Sequence, residues 1–417
     1  MKLSKLFLAT SVALSALLAT AQEASAPADA RTDAQDGDLV VRAAELHTVS
    51  GEVLTEGVVV IRDGLITAVG PAATTAVPDG LPVIEVPVAT PGLIDAHSVV
   101  GLAGYLNQDH DQDQLERSEP MQPELRALDA YNARERLVAW VRSFGVTTLH
   151  SGHGPGALIS GETLVVKTTG DTVDEALVEA RAMVAATLGD ASQRDGRESP
   201  GTRGKQVAML RGLFVQGQAY AAKLAAGEEV DVDLRLEAVA RLLRREVPLL
   251  VTAQRHQDIL AALRLAAEFE LELVLDGAAE AHLLLDELAA AGVSVLVHPT
   301  MMRAAGETEN LSMENAAKLA DAGIPIALQS GFESYVPKTR VVLFEAAVAA
   351  ANGLGRERAL AAITLDAARL LGIDDRVGSL EVGKHGDLAF YDGDPFEYTS
   401  HCLGTVIEGR VVSRERR

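Results

Sequence analysis

Pro91-Gly92-Leu93-Ile94-Asp95-Ala96-His97-Ser98-Val99-Val100-Gly101 is the stretch on which the reading of this chain turns. Pro-Gly breaks whatever precedes it, a short and mostly apolar run follows, and polar side chains gather where that run ends. A histidine delivered at the carboxyl end of a buried strand is where a parallel α/β barrel places its chemistry. Downstream, strand-like runs recur at 146–150, 164–168, 249–254, 271–276, 294–299 and 325–330. Helical runs with apolar residues three and four apart separate the later ones, at 237–246, 257–269, 282–291 and 313–322. This alternation predicts an α/β fold, a (β/α)8 TIM-like barrel over 91–374. Seven strands are clear and the eighth has no clear place. The region 171–245 reads as mostly helical, and its polar, Gly-rich loop at 189–205 suits a lid or binding loop. The runs 339–352 and 357–371 read as closing helices.

Working outward, residues 38–89 show short strands with tight turns, including the hairpin signal Arg62-Asp63-Gly64-Leu65-Ile66. Alone this part has too many edges to be stable. Its partner is a second strand-rich stretch, GSLEVGKHGDLAFYDGDP from Gly378, followed by Ile407-Glu408-Gly409-Arg410-Val411-Val412. Residues 38–90 and 375–413 are therefore expected to form one small composite β-sandwich.

Composition narrows the function classes. Hydrophobic residues make up 48% and aromatics only 4%, so the core must come from Ala, Val and Leu. A formal net charge of −22 repels nucleic acid and anionic lipid, which excludes both as expected partners. The single cysteine, Cys402, allows no intramolecular disulfide. Residues 1–21 carry Lys2 and Lys5, an apolar run from Leu6 to Leu18 and the small-residue end Ala19-Thr20-Ala21, which together read as a secretory signal. The expectation is an exported, periplasmic protein with no membrane insertion after cleavage, and a disordered mature N-terminus at 22–37.

The string PGLIDAH resembles the first barrel strand of the amidohydrolase superfamily. The 249–282 region and GSLEVGKHGDLAFYDGDP resemble its imidazolonepropionase-like exported members. The resemblance spans about Asp38 to Val412. It implies the barrel with its composite β-sandwich, and hydrolysis of a C–N bond in a small amide, cyclic amide or peptide. It also implies zinc or a similar divalent ion that lowers the pKa of a bound water, and a carboxylate that takes the proton.

Carried over strand end by strand end, the family pattern is incomplete. The first strand continues as His-x-His in the family; here His97 is followed by Val99. Lys167 ends the run 164–167, where some members carry a carboxylated lysine bridging two metals; its other reading is a charged residue at the pocket mouth. Gln254 stands where a histidine ligand ends the fifth strand, in Thr252-Ala253-Gln254-Arg255, and Gln is a hydrogen-bonding group more than a metal ligand. Gly277 follows Asp276 where a relative has histidine. Gly331 stands where active relatives have the aspartate that ligates and acts as base, and Glu333 lies two residues further out. His256 and His282 fall at helix starts.

The expectation is thus a degenerate member with no cofactor, acting as a small-molecule binder or as the inactive partner of an active amidohydrolase paralogue, with homo-oligomerisation also open. Pocket candidates are His97, His150, His153, Lys167, Gln254, Arg255, His282 and His298. The alternative is an active hydrolase with zinc or another divalent metal at a reduced or relocated site built from His97, Lys167 and His298, with His150 or His153. No Gly-x-Ser-x-Gly elbow is present, and Cys402 lies in a terminal strand region, so nucleophilic catalysis has no support. The stretch Gly152–Gly161 lacks the ending of a phosphate loop and reads as a turn in the pocket wall.

Overall fold

The computed structural model describes residues 37–417 except 107, 197, 299, 301–303 and 333–340. The expected signal at 1–21, nearly all of the expected tail at 22–37 and Glu333 lie outside the described residues. Four strands come first: β1 (Leu39–Leu46), β2 (Leu54–Arg62), β3 (Leu65–Pro71) and β4 (Val83–Pro91). β2 and β3 pair antiparallel as the Asp-Gly signal predicts, with Asp63 at φ 50° and Gly64 at φ 80°. Two consecutive positive φ values make the tight turn whose twist matches the strands it joins.

The central strands are β5 (Leu93–Ser98), β6 (Val146–Ser151), β7 (Ile159–Glu162), β8 (Leu164–Lys167), β9 (Leu177–Glu179) and β10 (Val184–Thr187), then β11 (Leu249–Ala253), β12 (Leu273–Gly277), β13 (Ser294–Val297) and β14 (Ile326–Leu328). They form two sheets, ordered β5-β6-β8-β9 and β14-β13-β12-β11-β10-β7. β5 and β6 are parallel, as are the successive neighbours from β10 to β14. The ladders do not close into one ring. At one seam the sheets meet at a single parallel bridge, Ser98 with Gly331; at the other the chain runs from β7 into β8 through Thr163 alone.

One expectation is corrected here. The run 164–168, read as a parallel barrel strand, is β8, and it runs antiparallel to β6, pairing Lys167 with Thr148 and Leu164 with Ser151. A four-residue apolar run buried on both faces carries no mark of its direction. The 171–245 region, expected to be mostly helical, carries the helices Arg203–Ala225 and Leu234–Leu243 and, ahead of them, β9 and the parallel strand β10. Met183-Val184-Ala185-Ala186 reads equally as a short helix, and its strand state comes from pairing on both sides, with β7 and β11.

The C-terminal strands β15 (Leu388–Tyr391), β16 (Cys402–Ile407) and β17 (Arg410–Ser413) complete a seven-stranded sheet ordered β17-β16-β15-β4-β1-β2-β3. The two chain ends therefore meet through the antiparallel β4–β15 pair, and the strands belong to a single sheet. Gly92 alone separates β4 from β5. A Cβ there would stand 2.3 Å from Thr147 Oγ1, so only glycine lets the backbone pass this close to β6. Between the central strands, Ile94, Val165, Leu250, Val274, Leu296 and Ala327 form one buried apolar layer. Toward the strand ends it gives way to polar side chains.

Candidate functional site

The polar layer centres on Asp276, next to last in β12. One carboxylate oxygen accepts from His97 Nδ1 at 2.9 Å and Gln329 Nε2 at 2.6 Å; the other accepts from Thr252 Oγ1 at 2.5 Å. Strand alternation brings these groups together, since Leu250 and Thr252, Val274 and Asp276, Ala327 and Gln329 share a face two residues apart. Burial drives the Asp276 pKa up, but the charge and hydrogen bond of His97, with Thr252 and Gln329, outweigh it and bring it down to about 2. Burial likewise works against a charge on His97. The carboxylate of Asp276 and the charge of Asp95 override it, so the imidazole holds its proton more tightly than usual. An isolated buried ion costs several kcal/mol, and charge-assisted hydrogen bonds return about 1.5–3 kcal/mol each, so three donors on one carboxylate make the burial tolerable.

Asp95 stands beside this pair. It accepts from the backbone N (2.9 Å) and hydroxyl of Ser330, tying β5 to the end of β14 where backbone pairing is sparse. Burial raises its pKa to about 7 against those two hydrogen bonds.

His150 lies with its ring centroid 5.3 Å from that of His97. Both its nitrogens are engaged: Nδ1 donates to the Ala96 carbonyl at 2.6 Å, and Nε2 meets Thr163 Oγ1 at 2.7 Å. Burial, then the His97 charge, lower its pKa to about 3, which leaves a neutral, fully hydrogen-bonded ring with no lone pair to offer. His153 is buried and hydrogen-bonded to the Glu162 backbone; burial and His97 bring its pKa to about 4. Among the described residues, His97 Nε2 and His153 Nε2 are buried ring nitrogens with no hydrogen-bond partner.

The other candidates spread out. Lys167 sits at the opposite end of the strands, because β8 is antiparallel, and makes a buried salt bridge to Asp387. Its reading as a mouth residue or metal bridge is corrected by that strand direction. His282 lies on the short turn 281–283, where burial and Lys318 lower its pKa. Arg255 starts the helix His256–Phe269 and binds the Gly306 carbonyl at 3.1 Å and Glu309 at 3.5 Å, so it holds a loop. His256 pairs with Glu280 at 2.6 Å. The loop at 189–205 is tied down: Arg203 bridges Asp190 and Asp258, and Gln206 binds the Gly189 carbonyl. A cavity of about 980 Å³ opens at the opposite ends of β12 to β14, by Leu273, Ser294 and Ile326.

Among the described residues, the side chains at these strand ends do not fit a metal. Val99 is buried and apolar, Gly277 and Gly331 offer no side chain, and Gln254 spends its carbonyl on Ala279 N at 3.1 Å. His150 is engaged at both nitrogens, and Asp276 holds three donors. Among the described residues no group of three or more His, Cys, Asp or Glu side chains is placed to hold a metal ion. The relocated set His97, Lys167, His298 therefore does not assemble.

Asp276, Thr252, Gln329 and the Asp95–Ser330 tie were not singled out from the sequence. The available signal was an acid inside an apolar strand, Leu273-Val274-Leu275-Asp276, which a buried position tolerates only with partners.

The family model described as "Amidohydrolase family" matches residues 101–413. The chain is 25% identical over 402 residues to an imidazolonepropionase of Porphyromonas gingivalis, covering 88% of this chain and 91% of that one. It is 28% identical over 411 residues to one of Stenotrophomonas maltophilia, covering 88% and 94%. The crystal structure of an amidohydrolase from Thermotoga maritima MSB8 superposes with a TM-score of 0.85 at 28% identity, over 90% of this chain and all of that one. On the family match across most of its length, this chain belongs to the amidohydrolase family.

Proposed function

We propose that this protein is an exported, metal-free member of the family that binds a small molecule and does not hydrolyse it through a metal-bound water. The observation that carries the reading is the Asp276 layer. Where the family chemistry needs open donor atoms, the carboxylate is saturated by His97, Thr252 and Gln329. A carboxylate so held is a poor proton acceptor, and its low pKa argues the same way. Beside it, the buried ring nitrogens His97 Nε2 and His153 Nε2 are polar atoms open to a ligand. We read the strands as the family's barrel, with β7 and β8 as one antiparallel stave between β6 and β10, and the terminal sheet as its composite β domain. Residues 1–21 support export to the periplasm.

The test is elemental analysis of the mature protein after incubation with zinc and removal of the excess. Less than a tenth of an equivalent is expected, unchanged in His97→Ala. Near-stoichiometric zinc that is lost in His97→Ala would overturn the reading and restore the hydrolase.

A second role, as inactive partner of an active paralogue, is favoured by one surface feature. In a chain poor in aromatics, Trp140 is exposed, meets Phe144 edge-on at 5.0 Å, and Phe144 in turn meets the exposed Phe344 at 5.5 Å. Exposed Trp with stacked Arg is the composition of interface centres, and Arg417 lies 4.9 Å over the Trp140 ring.

A further inference from the structure

Two of the missing ligand positions are glycines in the left-handed region, Gly277 at φ 77° and Gly331 at φ 64°. Neither faces open space. A Cβ on Gly277 would stand 2.4 Å from Gln254 Nε2 and 2.9 Å from its Oε1. One on Gly331 would stand 2.7–2.8 Å from three atoms of the His298 ring. Gln254 is anchored by the Ala279 N–H, and the His298 backbone N donates to the Gly277 carbonyl at 3.1 Å, which joins the two places into one unit.

We infer that Gln254 and His298 fill the volume of two family ligand side chains, so the metal face is shut by packing and the lost ligands cannot be restored one at a time. This deepens the metal-free reading and rests on it. Two physical effects separate at these positions. Left-handed backbone penalises any side chain, whatever its surroundings. Steric overlap penalises it only while the neighbour is present. Gln254 can swing away by giving up Ala279 N, whereas His298 is a buried ring with little freedom, so the effect is larger at Gly331.

The experiment is a pair of double-mutant cycles read by thermal unfolding of the full mature chain: Gly331→Ala with His298→Ala, and Gly277→Ala with Gln254→Ala. The Tm loss from Gly331→Ala is expected to fall to about half or less when His298 is already Ala, with a smaller relief at Gly277. If Gly331→Ala alone does not fold, recovery of folding in Gly331→Ala/His298→Ala supports the inference equally. Additive losses in both cycles, or failure of the double variants to fold, overturn it. Zinc content of Gly331→Asp is the second readout: no gain over the wild type is expected, and one equivalent gained by that single change overturns the packing argument. Zinc on the wild type bears on the metal-free reading alone, so the two failures are distinct.

Discussion

The protein buries two ion pairs at opposite ends of the same strands. His97–Asp276 lies at the carboxyl ends, with side chains 5% and 6% exposed; Lys167–Asp387 lies at the other end, at 5% and 4%. Burial does not distinguish them, but what surrounds them does. Asp387 is consumed by structure: its second oxygen accepts Glu408 N at 3.0 Å and its carbonyl accepts Gly92 N at 2.9 Å, so the pair bolts the terminal sheet to the central strands. The mouth pair instead leaves one ring nitrogen of His97 unmatched. A buried charge pair is therefore no indicator of function until the remaining hydrogen-bonding capacity of its members is counted.

The comparison can be broken first at the scaffold end. Asp387→Ala strands a buried ammonium and removes the side-chain acceptor of Glu408 N, so a loss of about 3–5 kcal/mol is expected, read from chemical denaturation. At the mouth end, Asp276→Asn keeps the shape and one acceptor and is expected to cost less, about 2–3 kcal/mol. Equal losses would erase the distinction between the ends.

The mouth network also carries a pH dependence. Asp276 has a folded pKa near 2, below the ordinary value of about 3.9. Its contribution is present above that ordinary value and is lost as pH falls through about 2. Asp276→Asn should therefore flatten the acid limb of a stability–pH curve below pH 4. His150, with a folded pKa near 3, is a base buried neutral; its stability is present above about 6.5 and lost as pH falls toward 3. Ring NMR at pH 5 should show it uncharged. A charged His150 there would remove its part in the mouth network.

The smallest effect sharpens the contrast with surface pairs. Arg211 and Glu268 form a bidentate bridge at 2.7 Å, but both are more than two-fifths exposed. Arg211→Ala should leave stability nearly unchanged, and more nearly so in high salt, by urea titration.

PGLIDAH was legible because a break, a strand and a strand-end histidine are all local signals, and the structure places each where the sequence indicates. The Asp63–Gly64 turn and the helix His256–Phe269 were legible for the same reason. Lys167 was misplaced because strand direction is set by neighbours: β8 reverses to pair with β6, and nothing in Leu-Val-Val-Lys encodes that. Asp276 carries no local mark of its role, because its partners His97, Thr252 and Gln329 come from β5, β11 and the end of β14. Side-chain saturation is a non-local property, so it appears only when the strands are laid side by side.

The β4–β15 pairing has a consequence for the order in which the chain can fold. Leu388 pairs with Pro91, so β4 must wait for a partner made about 300 residues later, and long-range pairing of this kind is slow to form. Until β15 arrives, β4 offers an open edge in a nascent chain, and Gly92 passes it directly into β5. The strand that carries His97 thus follows directly on one whose outer edge is paired only late in synthesis. A chain cut short anywhere before Leu388 would expose that edge and invite aggregation before the histidine ever found Asp276.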